Sequence, residues 1–233
     1  MKRLCTICVR GSSKGIKNKN IRELAGKPLI AYTLEQSTAC GLFDFIAVSS
    51  DSIEILDVAR KYGANLLIER PLELATDASA KVPAIQHCAW QAEKVSGKQF
   101  RVIVDLDVTS PLRLPKDIQG AVRLLETENI SNVITAAPAR KSPYFNLVEL
   151  GDDGVVHLSK PVEKPIGRRQ DSPKCFDMNA SIYVWKRSAL FESSTLFNAD
   201  TRLFVMPENR SIDIDNELDY EIVEFIIKKR SKK

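Results

Sequence analysis

From Leu4 to Ala137 short apolar runs alternate with stretches of helical length, and this rhythm constrains the fold more than any other feature of the chain. Leu4–Val9, Phe45–Val48, Asn65–Ile68, Arg101–Leu106 and Asn132–Ala137 read as strands. Between them, Pro28 to about Cys40 reads as a helix, with proline in its first turn and Gly41 beyond its end. Ser49-Ser50-Asp51 leads a second helix through Ile55, Val58 and Ala59, and Val82–Val95 and Pro115–Glu126 supply two more. Strands and helices in alternation predict an α/β protein with a largely parallel sheet. Ligands of such sheets sit beyond the carboxyl ends of the strands. The loops after Val9, Ile68 and Leu106 would share that edge.

The rhythm then changes. Phe145–Leu150, the turn Gly151-Asp152-Asp153-Gly154 and Val155–Leu158 read as a β-hairpin, followed by a basic stretch from Lys160 to Arg169. This excursion, residues 138–178, reads either as an arm for dimerisation or as a surface flap. Ile182–Trp185 returns to a core strand and Leu203–Met206 adds another. The acidic run Ser211–Asp219 and a helix to about Lys229 follow.

At 233 residues and 44% hydrophobic, the chain suits one substantial soluble domain. Its net charge of +4 is mild, and the basic clusters are separate with only 7% aromatic residues, which argues against nucleic-acid binding. No apolar run is long enough for a signal peptide or a membrane span, so no membrane partner is expected. Five scattered cysteines suit a reducing, cytoplasmic setting, and Cys5-Thr6-Ile7-Cys8 reads as two core thiols on a strand.

Two stretches suggest chemistry. The run Arg10-Gly11-Ser12-Ser13-Lys14-Gly15, continuing to Lys19-Asn20, breaks from a strand into small and basic residues. Small residues let backbone N–H groups approach an anion, and Arg10, Lys14 and Lys19 can neutralise one. It matches neither the Walker A spacing nor G-x-G-x-x-G, so a phosphate loop and a basic surface turn both remain open. In Ile212-Asp213-Ile214-Asp215 the carboxylates alternate with apolar residues and share one face if extended. They suit either a Mg²⁺–nucleotide complex or the N-terminus of the last helix. The isolated His87 and His157 argue against a histidine metal cluster and a Ser-His-Asp triad.

Six blocks in order resemble the CMP-sialic acid synthetases (acylneuraminate cytidylyltransferases): Arg10-x-x-Ser13-Lys14-Gly15 with Lys19-Asn20, Gly26–Ile30, Arg70-Pro71, Thr109–Arg113, Arg169-Gln170 with Asn179–Tyr183, and Ile212–Asp219. The resemblance implies a Rossmann-like nucleotide-diphosphosugar-transferase fold, residues 1–233 forming one domain, and a homodimer through the excursion. It also implies a reaction in which CTP and a nonulosonic acid give a CMP-sugar and pyrophosphate, with Mg²⁺. Carried over, Arg10, Lys14 and Lys19 hold the triphosphate, and Asn20, Arg70, Ser79 and Ala80 contact the nucleotide. Lys81, Asp107, Thr109, Ser110 and Arg169 face the sugar, and Asp213 and Asp215 bind the metal. Alternatives are N-acetylneuraminic or pseudaminic acid as the acceptor, a cytidylyltransferase for an eight-carbon keto-deoxy sugar acid, and a CTP-binding protein without turnover.

The chain departs from that pattern in places. Cys8-Val9 stand for the usual Pro-Ala, and Phe145 stands where many members are basic. Lys81 replaces a usual serine and Asp107 a usual glutamine, where the family reads the sugar's tail. Two opposite charges arriving together predict an acceptor other than N-acetylneuraminic acid, with legionaminic acid foremost. The other reading is an ion pair that does not touch substrate.

Overall fold

The computed structural model describes residues 2–12, 15–76, 79–161, 166–192 and 194–231. In chain order its elements are β1 (Arg3–Cys8), β2 (Glu23–Leu24), β3 (Lys27–Pro28), α1 (Leu29–Ala39), β4 (Phe45–Ser50), α2 (Ile53–Lys61), β5 (Leu66–Glu69), α3 (Lys81–Ser96), β6 (Val102–Leu106) and α4 (Pro115–Glu128). Then come β7 (Asn132–Pro138), β8 (Val148–Leu150), β9 (Val156–Leu158), β10 (Phe176–Lys186), α5 (Arg187–Glu192), β11 (Arg202–Val205) and α6 (Glu217–Ser231).

Seven strands form one sheet in the order β11-β7-β10-β6-β1-β4-β5. All neighbours are parallel except β10, which runs antiparallel to both β6 and β7. Both faces are covered, and the side chains alternate between them as the strand period of two requires. Cys5, Ile7, Val104 and Val184 pack on one side with α1, α2, α4 and α6. Leu4, Ile103, Tyr183 and Trp185 pack on the other with α3 and α5. The expected α/β architecture is present, and the expected elements fall within a few residues of their predicted ends.

Three features go beyond the sequence expectation. The strand expected at Ile182–Trp185 begins at Phe176 and inserts between β6 and β7. Its register shifts between Met178 and Tyr183, and within this bulge Ala180 takes φ +47°, a left-handed conformation that alanine adopts only at a cost. Residues 211–215 form no strand, yet Ile214 is fully buried while Asp213 and Asp215 line a common cleft. β8 and β9 pair only with each other, so the hairpin stands apart from the main sheet. No helix among the described residues is long and apolar enough to cross a membrane.

Candidate active site

The carboxyl ends of β1, β5 and β6 open onto a cleft of about 370 Å³. Arg10, Lys19, Asn20, Arg70, Ser79, Ala80, Lys81, Asp107, Thr109 and Asp215 all line it. The cleft therefore gathers residues predicted separately for triphosphate, nucleotide, sugar and metal. Lys14 lies outside the described residues, and Arg169 lies in a single 3-10 turn, Arg169–Asp171, of the excursion.

The first loop is held from three sides. The Gly11 N–H donates to Asp51 Oδ1 at 2.8 Å, Asn20 Nδ2 donates to the Arg10 carbonyl at 2.9 Å, and Arg10 Nη1 reaches the Thr76 carbonyl at 2.9 Å. Sequence placed Asp51 at the lead of α2, but Ser52 is that helix's N-cap and Asp51 instead holds a loop forty residues away, to which nothing local ties it. Gly15 is required by close approach, since a Cβ there would lie 2.3 Å from the Asp215 carbonyl oxygen. Lys19 Nζ donates to the Ile214 carbonyl at 2.7 Å and stands 3.9 Å from Asp215 Oδ1. The loop and the acidic segment are thus locked together.

Arg70 is buried, and its guanidinium donates to Ser49 Oγ at 3.3 Å and to the Ser49 carbonyl at 2.8 Å. Ser79 Oγ accepts from the Thr76 N–H at 3.1 Å and lies 3.0 Å from the Glu73 carbonyl, so this hydroxyl closes a turn while the residue lines the cleft. Ala80 occupies the N-cap position of α3.

The acidic segment is fastened at each residue. The Ile214 N–H donates to the Thr109 carbonyl at 2.9 Å, and Asp219 Oδ2 accepts from the N–H groups of Asp215 at 3.0 Å and Asn216 at 3.1 Å. Ser110 is fully buried, and its hydroxyl donates to Asp213, with the Asn179 carbonyl 3.1 Å away. Asn179 in turn donates to Ser211 Oγ at 2.9 Å and accepts from Thr135 Oγ1 at 2.7 Å. Burial, with the charges of Asp107 and Asp215, pushes the Asp213 carboxyl up to about 7 against the Ser110 bond. Asp213 and Asp215, lining one cavity, offer hard oxygen donors, and Mg²⁺ commonly takes only one or two carboxylates beside substrate phosphates. The donor set fits the ion. Among the described residues no three His, Cys, Asp or Glu side chains converge on such a point.

At the other wall Lys81 Nζ donates to Asp107 Oδ2 at 2.6 Å and lies 3.3 Å from Asp105 Oδ2. Burial acts against both charges. Even so, the two carboxylates hold the Lys81 ammonium well above its ordinary range, while Lys81 and the N–H and hydroxyl of Thr109 hold Asp107 well below its own. Beneath them Arg113, 1% exposed, donates to the Asp107 carbonyl, the Ser181 carbonyl, Thr33 Oγ1 and Gln36 Oε1. The sequence marked Arg113 only as part of a motif.

A cytidylyltransferase family model matches residues 4–194. The chain is 46% identical over 224 residues to a CMP-N,N'-diacetyllegionaminic acid synthase of Campylobacter jejuni, covering 96% of this chain and 94% of that protein. It is 44% identical over 228 residues to a post-translational flagellin modification protein B of Campylobacter coli, covering 98% and 96%. Among solved structures, a CMP:2-keto-3-deoxy-manno-octonic acid synthetase complexed with CTP matches with a TM-score of 0.73 over 99% of this chain and 100% of that one. At 14% identity that likeness concerns the fold. The family match, the two relatives and a cleft that joins a basic glycine loop to Asp215 agree, and the chain belongs to the cytidylyltransferase family.

Proposed function

We propose that this cytidylyltransferase transfers CMP from CTP to a nonulosonic acid, N,N'-diacetyllegionaminic acid foremost, and releases pyrophosphate. The observation that carries this is the cleft itself, where Arg10, Lys19 and Arg70 meet Asp215 on one side and the Lys81–Asp107 pair on the other. The relative 46% identical over nearly the whole chain supports the choice of sugar.

The anomeric hydroxyl of the sugar attacks the α-phosphorus and gives up its proton to solvent, and the bond from that phosphorus to the oxygen bridging the β-phosphorus breaks. Negative charge accumulates on the leaving pyrophosphate, which Arg10 and Lys19 stabilise, so the barrier falls mainly through positioning and charge. Asp213 and Asp215 would hold Mg²⁺, which would supply positive charge to offset that of the phosphate oxygens. Arg70 and Asn20 keep the floor and first loop of the nucleotide side in shape through their bonds to Ser49 and Arg10. The exposed apolar residues of the hairpin, Leu147, Val148, Leu150, Val155 and Val156, support a homodimer formed there.

Pyrophosphate release from CTP and Mg²⁺ against N,N'-diacetyllegionaminic, pseudaminic and N-acetylneuraminic acids tests the assignment. The first should give the highest kcat/KM, and Asp215→Asn should lower it by on the order of 10²–10³. Preference for N-acetylneuraminic acid would sink the choice of sugar, and an unimpaired Asp215→Asn the metal site.

A further inference from the structure

Lys81 lines the cleft as a cation, yet its ammonium has nothing left to give. It has three N–H donors. One goes to Asp107 Oδ2 at 2.6 Å, a second faces Asp105 Oδ2 at 3.3 Å, and the Tyr183 ring lies beneath with its centroid 4.7 Å away. Asp105 is 1% exposed and sits on β6 in register with Thr6 of β1 and Tyr183 of β10. Its Oδ1 accepts from Thr6 Oγ1 at 2.9 Å, and its Oδ2 has no hydrogen-bond partner among the described residues, leaving the Lys81 ion pair as that oxygen's compensation.

Asp107 is differently placed. Its Oδ1 is filled by the N–H and hydroxyl of Thr109, at 3.0 and 2.9 Å. Its Oδ2 carries Lys81 alone, and the side chain is 25% exposed in the cleft, so a lone pair remains open there. Two carboxylates share one ammonium, and the accessible partner is an acceptor.

We propose that Asp105 is a positioning residue that ties Lys81 back, so that this wall of the cleft presents the Asp107 carboxylate to a hydrogen-bond donor of the sugar acid, an acylamino N–H, and does not present Lys81 to an anion. The proposal rests on the assignment of a nonulosonic acid to this cleft. Without Asp105 the ammonium has one carboxylate instead of two. It settles on Asp107, covers the open lone pair, and, with one ion-pair partner instead of two, is freer to react.

The test has one arm that needs no substrate. Acetylation by N-hydroxysuccinimidyl acetate, followed residue by residue by mass spectrometry, should leave Lys81 of the wild type about tenfold slower than the exposed Lys229, and Asp105→Asn should remove much of that protection. In the second arm, Asp105→Asn should raise KM for the sugar acid about tenfold, the cost of losing one hydrogen bond to a charged group, with kcat and KM for CTP unchanged. A desamino analogue of the acid, lacking the N–H, should bind wild type and variant alike, whereas an analogue lacking a hydroxyl should still distinguish them. Acetylation of wild-type Lys81 as fast as Lys229 overturns the tie, and this measurement stands even if the variant does not fold. A variant that loses the protection but keeps the sugar KM overturns the recognition. Absence of turnover with every nonulosonic acid would instead remove the assigned function, while the acetylation result still decides the role of Asp105.

Discussion

Replacing Arg113 by lysine should cost more stability than replacing it by methionine. The guanidinium is 1% exposed, has no carboxylate within salt-bridge reach among the described residues, and is compensated by Asp107 O at 2.5 Å, Ser181 O at 2.6 Å, Thr33 Oγ1 at 2.5 Å and Gln36 Oε1 at 2.9 Å. Burial draws its pKa down to about 10, against the pull of Asp107 and other acids, a sign of how much desolvation this cation carries. Arg113→Met orphans four acceptors at roughly 1–3 kcal/mol each, and returns the several kcal/mol that burying a cation costs. The balance is a loss of about 3 kcal/mol. Arg113→Lys keeps the buried charge but exchanges a planar fork for a point donor that cannot reach four acceptors spread over α1, β10 and the Asp107 loop. Its loss should be about 4–5 kcal/mol. Urea unfolding followed by the fluorescence of the buried Trp185 and by far-UV circular dichroism reads both variants. A lysine variant close to wild type, or more stable than the methionine variant, would refute the view that directional hydrogen bonding, more than charge, holds this residue.

Gly15→Ala pits a methyl group against the Asp215 carbonyl oxygen, so the loop and acidic segment must part; kcat/KM for CTP should fall on the order of a hundredfold with little change in Tm, and an unchanged kcat/KM would show the loop yields freely. Asp213, pushed up to about 7 in the metal-free protein by burial first and then by Asp107 and Asp215, binds a proton more readily folded than unfolded. Its stabilising effect is therefore complete below about pH 4 and is lost as pH rises through about 7. Mg²⁺ should accordingly raise Tm more at pH 8 than at pH 6, and an equal rise at both would count against Asp213 as a ligand. Leu150→Lys with Val156→Lys should convert the proposed dimer to a monomer in sedimentation velocity, and an unaltered sedimentation coefficient would place the interface elsewhere.

Much of the carboxyl edge could be read from the chain because it depends on local pattern. An apolar run ending in Asp107, or breaking into Gly11 and Lys19, marks a strand end whatever the rest of the fold does. The parts that could not be read are those set by pairing across long separations. The antiparallel insertion of β10 between β6 and β7 leaves no trace in its own residues. Asp105 reads as one polar residue inside an apolar strand, and only the arrival of Lys81 from α3 explains its burial. Ser110 was expected to face the sugar; its hydroxyl lies buried against Asp213, a residue more than one hundred positions later.

The bond from Lys19 to the Ile214 carbonyl spans 195 residues, so the basic first loop and the acidic segment meet only across most of the chain. On the ribosome this imposes an order. The strands β1, β4, β5 and β6, with the basic loop, can leave the exit tunnel and assemble while the acidic segment is still being translated. A nascent chain at that point has the basic loop but still lacks Asp213 and Asp215, the proposed metal ligands. On the proposed assignment the site is complete only once α6, whose Tyr220 hydroxyl donates to the Glu23 carbonyl, is in place. Bringing the two segments together closes a long loop, whose entropic cost grows only slowly with its length.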